Sequence, residues 1–371
     1  MTKEVISNKQ AIVLLSGFII GSTSILGVGT NTKQDVWITL LLAMALAAVI
    51  YFVYARIIAL YPGMNIYEIL DVLFGKVLGK IISLCFIGYA FYLQSLILRN
   101  FAEFIRAISL SETPMCVIAF CGMLLSFYAI REGLEVFARW AAMFFPIMVF
   151  FVLLTTSLTL PWSDLNNFKP ILFNGFKPVF EGALSAFAFP FAEAVLFIPT
   201  MGSLQQKGNP YKVYYTSLLI GGTLVMLVSL RSLLVLGPEI ASLQYYSSYA
   251  AVQIINLGNF LQRIEVSVSI VFLISGLMKS SMCLYASVKG ISHLLSYKMD
   301  YKTLALPVNL LCGLLALFVY KNAMQMFEWA EVYYKYFAFP FQVALPIITL
   351  IVAEFKVRAR TQNGNQASSE E

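Results

Sequence analysis

The sequence predicts an all-α integral membrane protein of ten transmembrane helices, arranged as two inverted repeats of five with helices 1 and 6 broken. Three observations lead there. Hydrophobic residues make up 60% of the 371 and charged residues only 12%, a balance far from that of a soluble domain. The apolar residues fall into runs long enough to cross a bilayer, which takes roughly 20 residues per helix. Two of those runs, five apart in order, contain residues that interrupt a helix, the sequence pattern of inverted-repeat transporters.

The runs lie at about 9 to 30, 35 to 60, 77 to 108, 114 to 130, 134 to 160, 178 to 204, 211 to 237, 263 to 295, 303 to 320 and 328 to 355. The first is expected to be an uncleaved helix, since many spans follow it. Asn65 to Phe74 carries Ile66, Ile69, Leu70 and Leu73 at helical spacing and is expected to lie along the membrane surface. Ile240 to Phe260, rich in Tyr and Ser, reads as a similar helix on the opposite side. Spans three and eight are both long, at about 32 residues, and four and nine both short, at about 17; bilayer thickness gives no reason for such pairing. An offset of five spans, being odd, turns the second copy upside down. A single domain over 1 to 371 follows, with repeat one at about 9 to 160, repeat two at about 178 to 355, and a disordered cytoplasmic tail at 356 to 371.

The net charge of +6 is spread between spans instead of forming a patch, which fits membrane orientation and not nucleic acid. Lys3, Lys9, Arg56, Lys76, Lys80, Arg131, Arg139, Lys207, Lys212, Lys289, Lys298, Lys302, Lys356, Arg358 and Arg360 gather on one side, so both termini are expected in the cytoplasm. Cys85, Cys116, Cys121, Cys283 and Cys312 sit in apolar runs without metal or disulfide spacing and read as small core residues. No cofactor or metal is indicated. The single histidine, His293, lacks a metal-spaced companion and no nucleophile or phosphate-loop motif occurs, so no enzymatic activity is expected.

Span six is the centre of interest. Its apolar run is interrupted by Phe189-Pro190-Phe191-Ala192-Glu193, where proline breaks the hydrogen-bond ladder and Glu193 places a carboxyl group beside the break. Irregular backbone is tolerated inside a bilayer only where protein buries it or a cavity receives it, and an ionisable group there marks a functional site by default. A plain kink with the glutamate facing a neighbour is the alternative. Span one offers the matching interruption, Ile20-Gly21-Ser22-Thr23-Ser24-Ile25-Leu26-Gly27-Val28-Gly29, because glycine and small hydroxyl residues lower the cost of leaving the helix. Helix packing through Gly21, Gly27 and Gly29 is the competing account.

Taken in order, Tyr61-Pro62-Gly63, Phe74-Gly75-Lys76-Val77-Leu78-Gly79-Lys80, Ser111-Glu112-Thr113-Pro114, the Arg131 to Arg139 stretch, Phe189 to Glu193 and Arg263-Ile264-Glu265 make the chain resemble the B subunit of GerA-type spore germinant receptors. That family is a branch of the amino acid, polyamine and organocation transporter superfamily with the LeuT-type fold. The resemblance covers nearly the whole chain. It implies a nutrient sensor in the spore inner membrane, working with a larger A subunit and a lipoprotein C subunit and triggering germination when a small amino acid or similar nutrient binds. It also implies that the turn at Ile20-Gly21-Ser22 presents amides to a substrate carboxylate, although Thr23 replaces the usual following glycine.

Exposed helix N-termini favour a carboxylate, and freed carbonyls with Glu193 could receive an ammonium group. Gly21, Ser22, Thr23 and Ser24 are therefore expected to face the ligand from span one, and Phe189, Phe191 and Glu193 from span six. Lys279, midway along span eight, needs a partner. It could stand where sodium-coupled relatives hold a cation, bound by carbonyls near Gly21 or by Glu193, or form a purely structural ion pair. Tyr89 and Tyr92 of span three could cap a small pocket, with packing the competing role. Arg99, Glu103 and Arg106 form a stripe expected to face solvent or another subunit, and Arg231 and Glu239 could share that outer rim. Three functions share this site: a nutrient receptor, a proton-coupled amino acid transporter, and a scaffold or ion-conducting subunit without a ligand of its own.

Overall fold

The computed structural model describes residues 4–205, 208–255 and 264–367. Lys3, Lys207 and Arg263, three of the basic residues singled out above, lie outside the described residues, as do 256–260 of the expected second surface helix.

Helix α1, Asn8–Ile20, opens on a capping box in which the Ser7 hydroxyl accepts from the Gln10 amide and the Gln10 side chain accepts from the Ser7 amide. This reciprocal pairing satisfies amides that a helix start would otherwise leave bare. The chain ahead of it is pinned by pairing of Ile6 with Ser203 and Gln205 at 2.8 and 3.0 Å. The following helices are α2 Val36–Leu60, α3 Ile66–Ile108, α4 Met115–Glu132 and α5 Leu134–Thr159. The second half contains α6 Phe176–Ala186, α7 Pro210–Leu236, α8 Val266–Leu294, α9 Tyr301–Phe318 and α10, an apolar span over Ala323–Ala359. Nine segments among the described residues are long and apolar enough to cross a membrane. Interrupted α1 is the tenth span: its regular part stops after 13 residues, too short to cross alone.

The inverted repeat accounts for the paired lengths. Helices α4 and α9 each have 18 residues, and α8 with 29 answers the long part of α3. Helix α3 turns at Gly75, with φ 79° and ψ 171°, so Ile66 to Phe74 forms a helix of its own ahead of the long span, with Ile66, Ile69, Leu70 and Leu73 on its buried face. No atom lies within 4 Å of where a Gly75 side chain would stand, so the glycine serves the backbone conformation and not packing. On the other side, the predicted surface helix at Ile240 is two short ones, Pro238–Leu243 and Ser247–Gln253. The final helix continues to Ala367, where a disordered tail from Lys356 was expected; 368–371 lie outside the described residues.

Helix α8 packs along α3, and α1 along α7. Buried residues make up 78% of the most apolar window of the sixth span and 72% of that of α8, against 28% for α5 and α10, so the interrupted spans and α8 form the centre and α5 and α10 the periphery. Cys283 and Cys312 are buried as expected, but Cys85, Cys116 and Cys121 face outward. Lipid accepts a small apolar side chain as readily as the core does, so sequence pattern cannot separate the two positions.

Candidate functional site

Helix α1 ends where Gly21 adopts φ 26° and ψ −122°, and a tight turn over Gly21–Ser24 follows. The Thr23 hydroxyl donates to the Ile20 carbonyl at 2.6 Å and Ser24 to Gly21 at 2.9 Å, while Ser275 of α8 donates to the same Gly21 carbonyl at 3.0 Å. Small hydroxyl residues thus answer the carbonyls released by the break. Gly21 also admits a close neighbour: a side chain there would stand 2.4 Å from Lys279 Cδ. The two readings of this glycine, break and close packing, hold at once.

Helix α6 widens at Phe187–Phe191, Phe189 leaves the helical conformation (φ −133°, ψ 112°), and a tight turn runs over Ala192–Phe197. The released carbonyls are taken by side chains from other helices. Tyr51 donates to Phe191 at 2.9 Å and Tyr214 to Ala194 at 3.3 Å; the Tyr54 hydroxyl lies 3.1 Å from the Ala192 carbonyl and 2.6 Å from that of Gln342. The Gln342 amide donates to Ala188 at 2.8 Å. Buried carbonyls left bare would each cost a hydrogen bond's worth of desolvation, so these side chains supply donors that the break would otherwise lack.

At its centre, fully buried Glu193 forms an ion pair through Oε2 with fully buried Lys279. The Tyr334 hydroxyl donates to Glu193 Oε1 at 2.5 Å. Because that proton is committed, the Tyr89 hydroxyl, 2.9 Å from Tyr334, must be the donor of their contact, and Tyr89 in turn accepts from Gln342 at 2.8 Å. One directed chain therefore runs from Gln342 through Tyr89 and Tyr334 to the carboxylate. The Lys279 ammonium has no further acceptor among the described residues; the rings of Phe18 and Phe189 lie 5.4 and 4.7 Å away, where ring faces attract a cation.

Beside this pair is a cavity of about 30 Å³, lined by Ser22, Leu93, Leu96, Ile97, Phe189, Glu193, Trp329 and Tyr334 among others. That is room for about two waters, less than an amino acid needs. A second hollow of about 120 Å³ lies toward the loops, lined by Thr30, Asn31, Gln244 and Glu331. Leu26, Phe189 and Ala330 border both and divide them.

Of the residues singled out from sequence, Ser22, Phe189 and Glu193 border the inner cavity, and Lys279 pairs with Glu193 behind it. Gly21 seats the Lys279 chain; Thr23 and Ser24 turn back on the break. Phe191 is fully buried and contributes its carbonyl to Tyr51. Tyr92 is not among the residues around the cavity: its ring packs 4.9 Å from Phe337 and 6.3 Å from Trp329. Two other expectations change. Arg99 is 3% exposed, pairs with Glu103 at 2.8 Å and binds the Ala316 and Leu317 carbonyls at the end of α9, so only Arg106 of that stripe is exposed. Arg231 is buried against Thr155 and Ser248, far in role from Glu239, which pairs with Lys33 at the surface.

Tyr334 and Gln342, both in α10, were not anticipated. A signal was available: Phe187-Ala188-Phe189-Pro190-Phe191 recurs as Phe337-Ala338-Phe339-Pro340-Phe341, immediately before Gln342. The second copy forms another widened turn, over Pro340–Ala344.

The sequence profile of the family described as "Spore germination protein" matches residues 5–326. Spore germination protein KB of Bacillus subtilis (strain 168) is 30% identical over 370 residues, covering 98% of each chain. Among solved structures, MhsT in complex with L-phenylalanine superposes with a TM-score of 0.60 at 13% identity, covering 95% of this chain and 99% of that one. Mhp1, a nucleobase-cation-symport-1 family transporter in a closed conformation with bromovinylhydantoin bound, gives 0.64 at 11% identity, covering 94% and 78%. At such identities the likeness is one of fold, the LeuT-type arrangement of ten helices.

Proposed function

We propose, because this chain belongs to the spore germination protein family, that it is the nutrient-binding subunit of a germinant receptor, taking up a small amino acid or similar molecule between the breaks of its first and sixth spans. The observation that carries this is the buried Glu193–Lys279 pair, set beside a Ser22 hydroxyl that has no partner among the described residues, at the point where both helices open. Ionic groups inside a membrane protein are costly and are kept at ligand or ion sites. Opposite charges side by side suit a molecule that carries both. In this reading Lys279, carried on α8 and packed on Gly21 of α1, stands in for the cation that a sodium-coupled transporter would need, so that binding requires no coupling ion.

In this reading the ligand shifts a conformational equilibrium that partner subunits detect; those partners are the larger A subunit and a lipoprotein C subunit, in the spore inner membrane. Both termini lie in the cytoplasm, and the larger hollow beside Gln244 and Glu331 faces outward. The LeuT-type fold shared with transporters favours one competing reading, proton-coupled amino acid transport. Reconstitution into vesicles, alone and with the partner subunits, separates them. Saturable amino acid binding without net flux, with ion release only when partners are present, is the expected result. Flux by the subunit alone would establish the transporter.

A further inference from the structure

Resting on the amino acid reading above, we propose that the ligand binds by inserting between Glu193 and Lys279, so that the chamber selects amino acids of zero net charge with a compact apolar side chain. The carboxylate would go to Lys279 and the Ser22 hydroxyl, the ammonium group to Glu193.

Four features support this. The pair is wholly buried and neutralises itself, so a ligand bearing net charge would leave one buried charge without a counterpart, whereas a zwitterion exchanges one ion pair for two. The Ser22 hydroxyl is buried, borders the cavity and has no partner among the described residues, so a donor is already present at the cavity wall. Glu193 is held on its other oxygen by Tyr334, which leaves Oε2 to exchange partners while the carboxylate stays in place. Apart from Asn100 and Tyr320, most of the remaining wall is apolar, with Leu93, Leu96, Ile97 and Met326, which gives an aliphatic side chain its place.

Access runs through Phe189. Its ring covers the Lys279 ammonium at 4.7 Å and also divides the two hollows. Swinging that ring aside uncovers the cation and joins the inner cavity to the outer one, providing the room that about 30 Å³ lacks.

The test uses the purified full chain in detergent and equilibrium binding of labelled L-alanine, L-valine and L-leucine. The best of the three is then challenged with two analogues: its amide, a cation without the carboxylate, and its deaminated acid, an anion without the ammonium. Each analogue is expected to bind on the order of 100-fold more weakly or worse, because a buried polar group left unpaired discriminates strongly. The double variant Glu193→Gln with Lys279→Met removes both charges together and leaves neither stranded; it should fold and lose the preference for the zwitterion. Analogues binding as well as the parent, or a folded double variant binding the amino acid like wild type, would overturn insertion and leave the amino acid reading standing. Failure of all three amino acids to bind would overturn both.

Discussion

Lys279 and Glu193 neutralise one another where neither could stand alone. Replacing only one of them, as in Lys279→Met or Glu193→Gln, strands the other charge and should cost about 3–5 kcal/mol of stability. Replacing both together should cost far less, because a buried pair exchanged for neutral residues of similar volume is often close to neutral. Thermal unfolding of the three variants in detergent measures this non-additivity; equal losses in the two single variants and their sum in the double would mean that the residues do not act as a pair. Gly21 makes a related prediction. Valine there meets Lys279 Cδ and must also hold a positive φ, which costs on the order of 1–3 kcal/mol. Gly21→Val should therefore weaken nutrient binding along with stability, read by ligand binding and melting on the same preparation.

Among the elements, the two interrupted spans were legible in sequence because Pro190, Glu193 and Gly21 contradict the composition of an apolar helix. The lattice that closes them was not. Tyr51, Tyr54, Tyr89 and Tyr214 come from three different helices, and in a chain with 20 tyrosines nothing in their spacing says which hydroxyls turn inward. Arg99 misled for a similar reason: its i, i+4 spacing to Glu103 fits a surface pair equally well, and only the arrival of the α9 end buries it. Gln342 shows how much one such side chain joins, since it links α10 to both the break in α6 and Tyr89 of α3. Gln342→Leu leaves the Ala188 carbonyl without its donor and should lower stability by about 1–3 kcal/mol, with faster amide exchange across 187–193 than in wild type. Unchanged exchange there would show that the break does not depend on α10. At the turn within α3, Gly75→Ala should lower the melting temperature through backbone strain alone, because the added methyl meets nothing.

At the scale of the whole molecule, the fold was readable from paired span lengths and the odd offset, features that depend on the order and direction of the spans more than on any contact. What sequence could not supply was the state of the centre. The Glu193–Lys279 pair is closed, Phe189 divides the hollows, and only about 30 Å³ remains between the breaks, so the proposed binding of an amino acid there would demand movement. A receptor needs that movement to reach its partners. The most direct test is photolabelling of the full chain with a diazirine-bearing aliphatic amino acid, followed by mass spectrometric mapping. Label confined to peptides bearing Ser22 to Leu26, Phe189 to Glu193 and Met326 to Tyr334, and displaced by the unlabelled amino acid, is the predicted result; displaceable label elsewhere in the chain, with none between the two breaks, would contradict it.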